Sequence, residues 1–274
     1  MNIKNIRDVK NSLYRTGFPL EVAVLNKLAS LDLMVHPGEI YFDTETQKAR
    51  EVDLHALDFY PDHETVLKDP DQRRLIIHYV VECKKTEKYA WVFFKNAVYQ
   101  KLHSHFLKFK SAPLTFSWDS SILKAFELLQ GKSKLHLSFT EVPPRKDNTE
   151  KAGNIYSATQ SVLKATEFLH ERYASGNVLH LFIPVIVFHG SLYSANLRGY
   201  KSMNKLTITR EKRILLLTNF PGEKKSSTPY ALFIVHEDGL KNLLAEFRKL
   251  GEVIHLEWRK KSIPKRKAMV KRKK

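Results

Sequence analysis

Residues 74–86, R-L-I-I-H-Y-V-V-E-C-K-K-T, decide how this chain is read. From Leu75 to Val81 the run is apolar on both faces of an extended chain, the pattern of a central strand. It then ends in Glu82, Cys83, Lys84 and Lys85. Residues two apart on a strand share a side, about 7 Å from each other. Glu82 and Lys84 therefore project together and Cys83 turns the other way, into the core. Charges held against a buried strand are costly unless something compensates them. A divalent cation and a phosphate would do so.

A bare acid-x-Lys triplet carries little information, because Asp8/Lys10 and Glu223/Lys225 fit it in polar segments of the same chain. Context separates Glu82/Lys84 from these. The preceding strand, A-R-E-V-D-L-H-A-L-D-F-Y (residues 49–60), alternates, with Val52, Leu54 and Ala56 on one side and Asp53, His55 and Leu57 on the other. On an adjacent strand Asp53 would approach Glu82, and two close carboxylates repel each other unless a cation lies between them. Magnesium takes oxygen ligands, so Asp53, Glu82 and the backbone carbonyl of Cys83 are the predicted shell for Mg²⁺ or Mn²⁺. Lys84 would orient or deprotonate an attacking water and offset charge developing in the transition state. Glu21, in the first turn of a predicted helix, would reach the metal directly or through a water.

That helix spans about residues 18–31, with Leu20, Val24, Leu28 and Leu31 at helical spacing, Thr16 or Gly17 as cap and Pro19 in the first turn. E-I-Y-F-D-T-E-T precedes the Asp53 strand, giving helix, strand, strand, strand within the first 86 residues. Residues 95–150 read as an insertion with its own helices, one over residues 121–129, and with a strand-like piece at Leu135, Leu137 and Phe139. Beyond it come a helix over 156–173, strands over 178–188, 213–218 and 231–235, and a helix over 240–250. The alternation predicts an α/β fold, one mixed sheet covered by helices on both faces, over residues 1–258.

T-G-F-P-L-E-V-A-V-L-N-K-L, then E-V-D-L-H-A-L, then V-V-E-C-K-K resembles the PD-(D/E)xK nuclease superfamily, the restriction-endonuclease-like fold, and is similar in order to Holliday-junction resolvases and type IV restriction-like enzymes. The resemblance covers roughly residues 14–95, with a looser echo at 156–192. It implies metal ligands at Asp53 and Glu82, a catalytic lysine at Lys84 and a helix glutamate at Glu21. Val52 stands where the motif's name puts proline. Some relatives carry a glutamine on a later helix near the site, which here would be Gln160; a solvated polar face is the other reading of that residue. The activity implied is Mg²⁺-dependent cleavage of DNA, in restriction, phage defence or repair, and a double-strand cut by a single-site enzyme would favour a homodimer. The alternative is a non-catalytic nucleic-acid-binding protein on the same fold.

Composition supports a nucleic-acid partner. The 274 residues carry a net charge of +17. The stretch from Arg259 onward holds ten Lys and Arg and no acid, leaving +7 on residues 1–258. Such a run is expected to be disordered alone and drawn to polyanions through residues such as Lys265, Arg266, Lys267, Lys271 and Arg272; a solubilising tail is the blander reading. Lys101, Lys108 and Lys110, interleaved with Tyr99, Phe106 and Phe109, would line a nucleic-acid groove, unless those aromatics are core. A single cysteine excludes an internal disulfide and Cys-rich zinc modules and points to a reducing, intracellular setting. The apolar run 178–188 is too short to span a membrane. No serine-hydrolase elbow, H-E-x-x-H or phosphate-binding Gly-Lys loop is present. His189 reads as a satisfied strand-end side chain and His103-x-His105 as part of a basic, aromatic-bearing face.

Overall fold

The strand quoted above extends well past its charged end, to Lys95, and becomes the spine of the molecule. A computed structural model describes residues 5–43, 45–61, 74–95, 108–111, 135–143, 154–173, 178–197, 206–218 and 230–260. In chain order the elements are α1 (Ile6–Arg15), α2 (Phe18–Ala29), β1 (Met34–Asp43), β2 (Lys48–Tyr60) and β3 (Arg74–Lys95). They continue with β4 (Lys108–Ser111), β5 (Leu135–Val142), α3 (Asn154–Arg172), β6 (Val178–Leu197) and β7 (Leu206–Arg210). β8 (Arg213–Thr218), β9 (Tyr230–His236), one 3₁₀ turn (Glu237–Gly239) and α4 (Leu240–Lys260) complete them.

These strands form one mixed nine-stranded sheet. β3 runs antiparallel to β2 along its first half, antiparallel to β5 along its second, and parallel to β6 throughout. β6 in turn pairs with β4, β9 and β7 along its other edge. Because β5 also pairs with β8, and β8 with β9, the path β3–β5–β8–β9–β6 closes on itself.

Both faces are covered, as the alternation predicted. α2 and α4 bury Leu20, Val24, Leu28, Leu243, Phe247 and Trp258 against the odd-numbered side chains of β3, among them Ile77, Tyr79, Val81 and Cys83. α3 buries Ala158, Val162, Ala165 and Leu169 against the opposite face, with Val80, Ile186 and the stacked pair Trp91 and Phe188, 4.1 Å between ring centroids. Each of these large side chains contributes roughly 1.5–3 kcal/mol of burial.

Several sequence expectations are corrected. The strand-like piece at Leu135, Leu137 and Phe139 is a strand, but one of the main sheet rather than part of an insertion, and residue 95 still belongs to β3. The helix expected over 121–129 lies outside the described residues. β6 has 20 residues and α4 runs to Lys260, so the helix enters the stretch assigned to the basic tail. α1 was not foreseen, although Asn5 caps it and Ile6, Val9 and Leu13 recur at helical spacing; none of its residues is buried.

Two irregularities shape the sheet around β3. The first is an inversion of the pleat. Val52 packs with Val80 and Tyr41 on the α3 face, whereas Leu54 and Ala56 pack on the α2/α4 face, so the strict alternation expected for β2 breaks at Asp53. β1 inverts with it: Pro37 pairs with Leu54 and Glu39 with Val52, and between them Gly38 adopts φ +66. That left-handed conformation favours glycine. The second is a bulge in β3, where Lys85 pairs with His189 but Ala90 with Ser191, five steps against two. Thr86 Oγ1 accepts the Lys88 and Tyr89 amides, which closes a turn within the bulge. Gly190, at φ +155, lies beneath it, and a Cβ there would stand 2.6 Å from the Thr86 carbonyl oxygen.

The β1–β2 turn is anchored to α3 by charge. Asp43 is 3% exposed and accepts from Arg50 Nε at 2.9 Å and from Lys164 Nζ at 3.0 Å. Burial opposes ionisation of Asp43, but Lys164 and the Glu45 and Thr46 amides outweigh it and hold the carboxyl well below its usual range. Lys164→Met is expected to cost about 1–2 kcal/mol in urea unfolding, less than a fully buried pair because Arg50 remains. The sign of the pH effect follows: a depressed carboxylate stabilises above its unfolded pKa and loses that stabilisation as pH falls through its folded one. Raising the folded pKa by removing Lys164 should therefore move acid unfolding to higher pH.

Candidate active site

The pleat inversion turns Asp53 sideways, along the sheet toward β3. Its Oδ2 accepts the Cys83 backbone N–H at 2.6 Å. The regular ladder between β2 and β3 reaches Leu54 opposite Val81, and at the next position this side chain takes the place of a backbone acceptor. Asp53 is thereby clamped to the strand carrying Glu82 and Lys84.

Glu82 is 4% exposed. Its Oε1 lies 2.6 Å from Lys84 Nζ, and its Oε2 accepts from Ser161 Oγ of α3 at 3.1 Å. Tyr41 OH donates to the Ser161 carbonyl at 3.4 Å, tying β1 to the same point. Lys84 is about one-third exposed, so the site opens to solvent on its side.

The electrostatics identify these groups as neighbours. Burial raises the Glu82 pKa, and the Asp53 charge raises it further against the opposing Lys84. Asp53 is raised by burial, offset by the Cys83 amide and Lys84. Glu21, on the first turn of α2, is raised by burial and then by Asp53, with Lys84 opposing. Burial disfavours the Lys84 ammonium, yet Glu82 and Asp53 outweigh it and its pKa is raised. Three carboxylates share one ammonium, and each is held toward its neutral form.

Of the predicted residues, the fold thus brings Glu21, Asp53, Glu82 and Lys84 into one electrostatic neighbourhood. It does not preform a cluster: among the described residues, no three His, Cys, Asp or Glu side chains converge as a metal site. The nearest ligand position on Glu82 is occupied by Lys84. The donor chemistry nevertheless fits a hard divalent cation, since the groups offered are carboxylate and carbonyl oxygens. Asp53, Glu82, the Cys83 carbonyl and Glu21 are the groups that would hold Mg²⁺ or Mn²⁺.

Two participants were missed. Ser161, not Gln160, reaches Glu82; it is half-buried, three residues after Ala158 and beside the buried stripe of α3, and a hydroxyl at that spacing was the available signal. Glu51 adds negative potential at both Glu21 and Asp53, and a Cβ on Gly38 would stand 2.7 Å from its Oε1. Lys101 and Lys265, Arg266, Lys267, Lys271 and Arg272 lie outside the described residues, as do His103 and His105. Lys108 and Lys110 fall on β4, which pairs with β6; only their backbone is described. His189 is satisfied, 2.7 Å from Glu237, but β6 runs on to Leu197, so it lies within the strand and not at its end.

The chain matches no protein-family model, no curated protein and no solved structure. Among the described residues, no helix is long and apolar enough to cross a membrane.

Proposed function

We propose that the protein is a Mg²⁺-dependent nuclease of the restriction-endonuclease-like class, hydrolysing phosphodiester bonds in DNA. The observation that carries this reading is the clamp of Asp53 onto the Cys83 amide, between a buried Glu82 and Lys84 on the same strand. The order of elements supports it: a helix bearing Glu21, then an antiparallel pair bearing Asp53 and Glu82, with a helix packed on the face where Ser161 meets Glu82.

A bound divalent cation would supply charge neutralisation and an activated water. The chain's own groups do the rest. Asp53 and Glu82, on adjoining strands, would each give the cation an oxygen, with Ser161 fixing the Glu82 carboxylate. Lys84 leaves Glu82 Oε1 to orient the attacking water and to meet the charge that develops on the phosphoryl oxygens. Glu21 stands beside Asp53 and adds a further acceptor.

One observation favours a second reading. Both Glu82 oxygens already have protein partners, as in an ion pair that closes the site, and a non-catalytic nucleic-acid-binding protein would have that arrangement. Incubation of purified protein with plasmid DNA and Mg²⁺ or Mn²⁺ separates the two. Nicking that stops on addition of EDTA is expected; binding without cleavage of any DNA or RNA substrate leaves the binder.

A further inference from the structure

Beside the end of β3 lies a cleft of about 880 Å³, lined among the described residues by Asn11, Tyr14, Arg15, Lys85, Thr86 and Lys88. It carries three cations and no described carboxylate. Asn11, Tyr14 and Arg15 stand at i, i+3 and i+4, one face of α1. Lys85 Nζ donates to the Tyr14 carbonyl at 2.7 Å and ties the helix to the strand directly after Lys84. The β3 bulge supplies the other wall. A second cleft, of about 430 Å³, shares Thr86 and Lys88 and continues past Tyr89 to His189, Gly190 and Ser191 of β6. The two make one trough over the bulge, beginning one residue from the proposed catalytic lysine.

From this geometry we infer that the trough binds an unpaired nucleic-acid strand, with phosphates on Arg15 and Lys88 and a base stacked on Tyr14. It rests on the nucleic-acid half of the reading above and specifies which form is held. Tyr14 is 67% exposed, and Phe18, three residues before Glu21 on α2, is 61% exposed. An exposed ring beside cations offers a base a stacking surface, and only an unpaired strand presents a base face. A duplex would meet the same cations with its phosphates but leave Tyr14 idle. Lipid insertion would need aliphatic side chains, and the first cleft's described lining has none.

The test uses the full-length protein in EDTA, so that binding is read without cleavage, and fluorescence anisotropy with a labelled oligothymidylate and a hairpin duplex. Tyr14→Ala should weaken single-strand binding about tenfold and duplex binding less than about twofold. Arg15→Glu with Lys88→Glu should weaken both and flatten the dependence on salt. All three residues are exposed, so unchanged thermal melting will certify folding. Single-strand affinity within about twofold of wild type in both variants overturns the trough, as does binding that passes to anionic lipid vesicles or disappears on removing residues 261–274 alone. Cleavage is scored separately: a protein that cuts DNA independently of the trough sinks this proposal only, and one that binds through the trough without cutting sinks the nuclease only.

Discussion

Lys84→Ala is expected to lower DNA cleavage by roughly 10²–10⁴-fold, the span that a positioned proton-transfer group supplies. The structure adds a second expectation that a general loss of function would not produce. Lys84 Nζ sits 2.6 Å from Glu82 Oε1 and competes for the oxygen that a cation would use. Its removal takes away a positive charge and frees that oxygen, so Mn²⁺ affinity should hold or rise while cleavage falls. Single-turnover cleavage and Mn²⁺ titration by electron paramagnetic resonance measure the two separately. Glu82→Gln should lose both. A Lys84→Ala protein cutting at the wild-type rate would remove the catalytic assignment, and Mn²⁺ binding lost in step with cleavage would make Lys84 a structural partner of Glu82.

His78→Leu is the second large effect expected, on stability. A chain of hydrogen bonds crosses four neighbouring strands, β1, β2, β3 and β6: Glu39 Oε2 to His55 Nδ1 at 2.5 Å, His55 Nε2 to His78 Nδ1 at 3.0 Å, and His78 Nε2 to His180 Nδ1 at 2.8 Å. Arg172 holds the other Glu39 oxygen at 2.9 Å. The tautomers follow from the network: with a carboxylate at one end, every ring donates from Nδ1, His55 and His78 accept at Nε2, and His180 Nε2 ends the chain with no partner among the described residues. His55 and His78 are fully buried and His180 is 4% exposed. Leucine in the middle orphans His55 Nε2 and His180 Nδ1, each at about 1–3 kcal/mol. Against this, leucine gains contact with Phe182 and Tyr173, whose rings pack on His78. A net loss of roughly 2–4 kcal/mol in denaturant unfolding is expected. A loss below about 0.5 kcal/mol, the noise of a surface substitution, would show that the chain contributes no stability.

The same chain predicts acid sensitivity. Burial, then the neighbouring His170, lowers the His180 pKa from 6.5 to about 4. The unfolded chain therefore takes up a proton between those values that the folded chain refuses, and stability falls as pH drops from 6.5 toward 4. His180→Phe should flatten that part of the stability profile.

The site was legible where periodicity broke against an apolar background. Glu82, Lys84 and Asp53 stood out as charges on otherwise buried strands, and their order with Glu21 carried the resemblance. What escaped depends on geometry that a two-residue period does not contain. The pleat inversion at Gly38 and Asp53 moved Val52 to the far face, and no pattern in A-R-E-V-D-L announces it. Ser161 was passed over for its longer neighbour, although helix spacing points to the serine. α1 was passed over although Ile6, Val9 and Leu13 recur at helical spacing behind Asn5, and the strand-like piece at Leu135, Leu137 and Phe139 was seen without its place in the main sheet, because its partners come from distant parts of the chain. The metal cluster was read as ready-made, whereas Lys84 occupies part of it.

The pairing of β3 with β6 has a kinetic consequence. Asp53 and Glu82 lie on consecutive strands, β2 and β3, so their antiparallel pairing closes a smaller loop than the β3–β6 pairing does. The parallel ladder from Arg74↔Val178 onward joins residues about 100 positions apart, and such non-local pairing slows folding. Refolding should pass through a stage in which the carboxylates already face each other while Trp91 has yet to stack on Phe188, so indole fluorescence should trail the hairpin's formation.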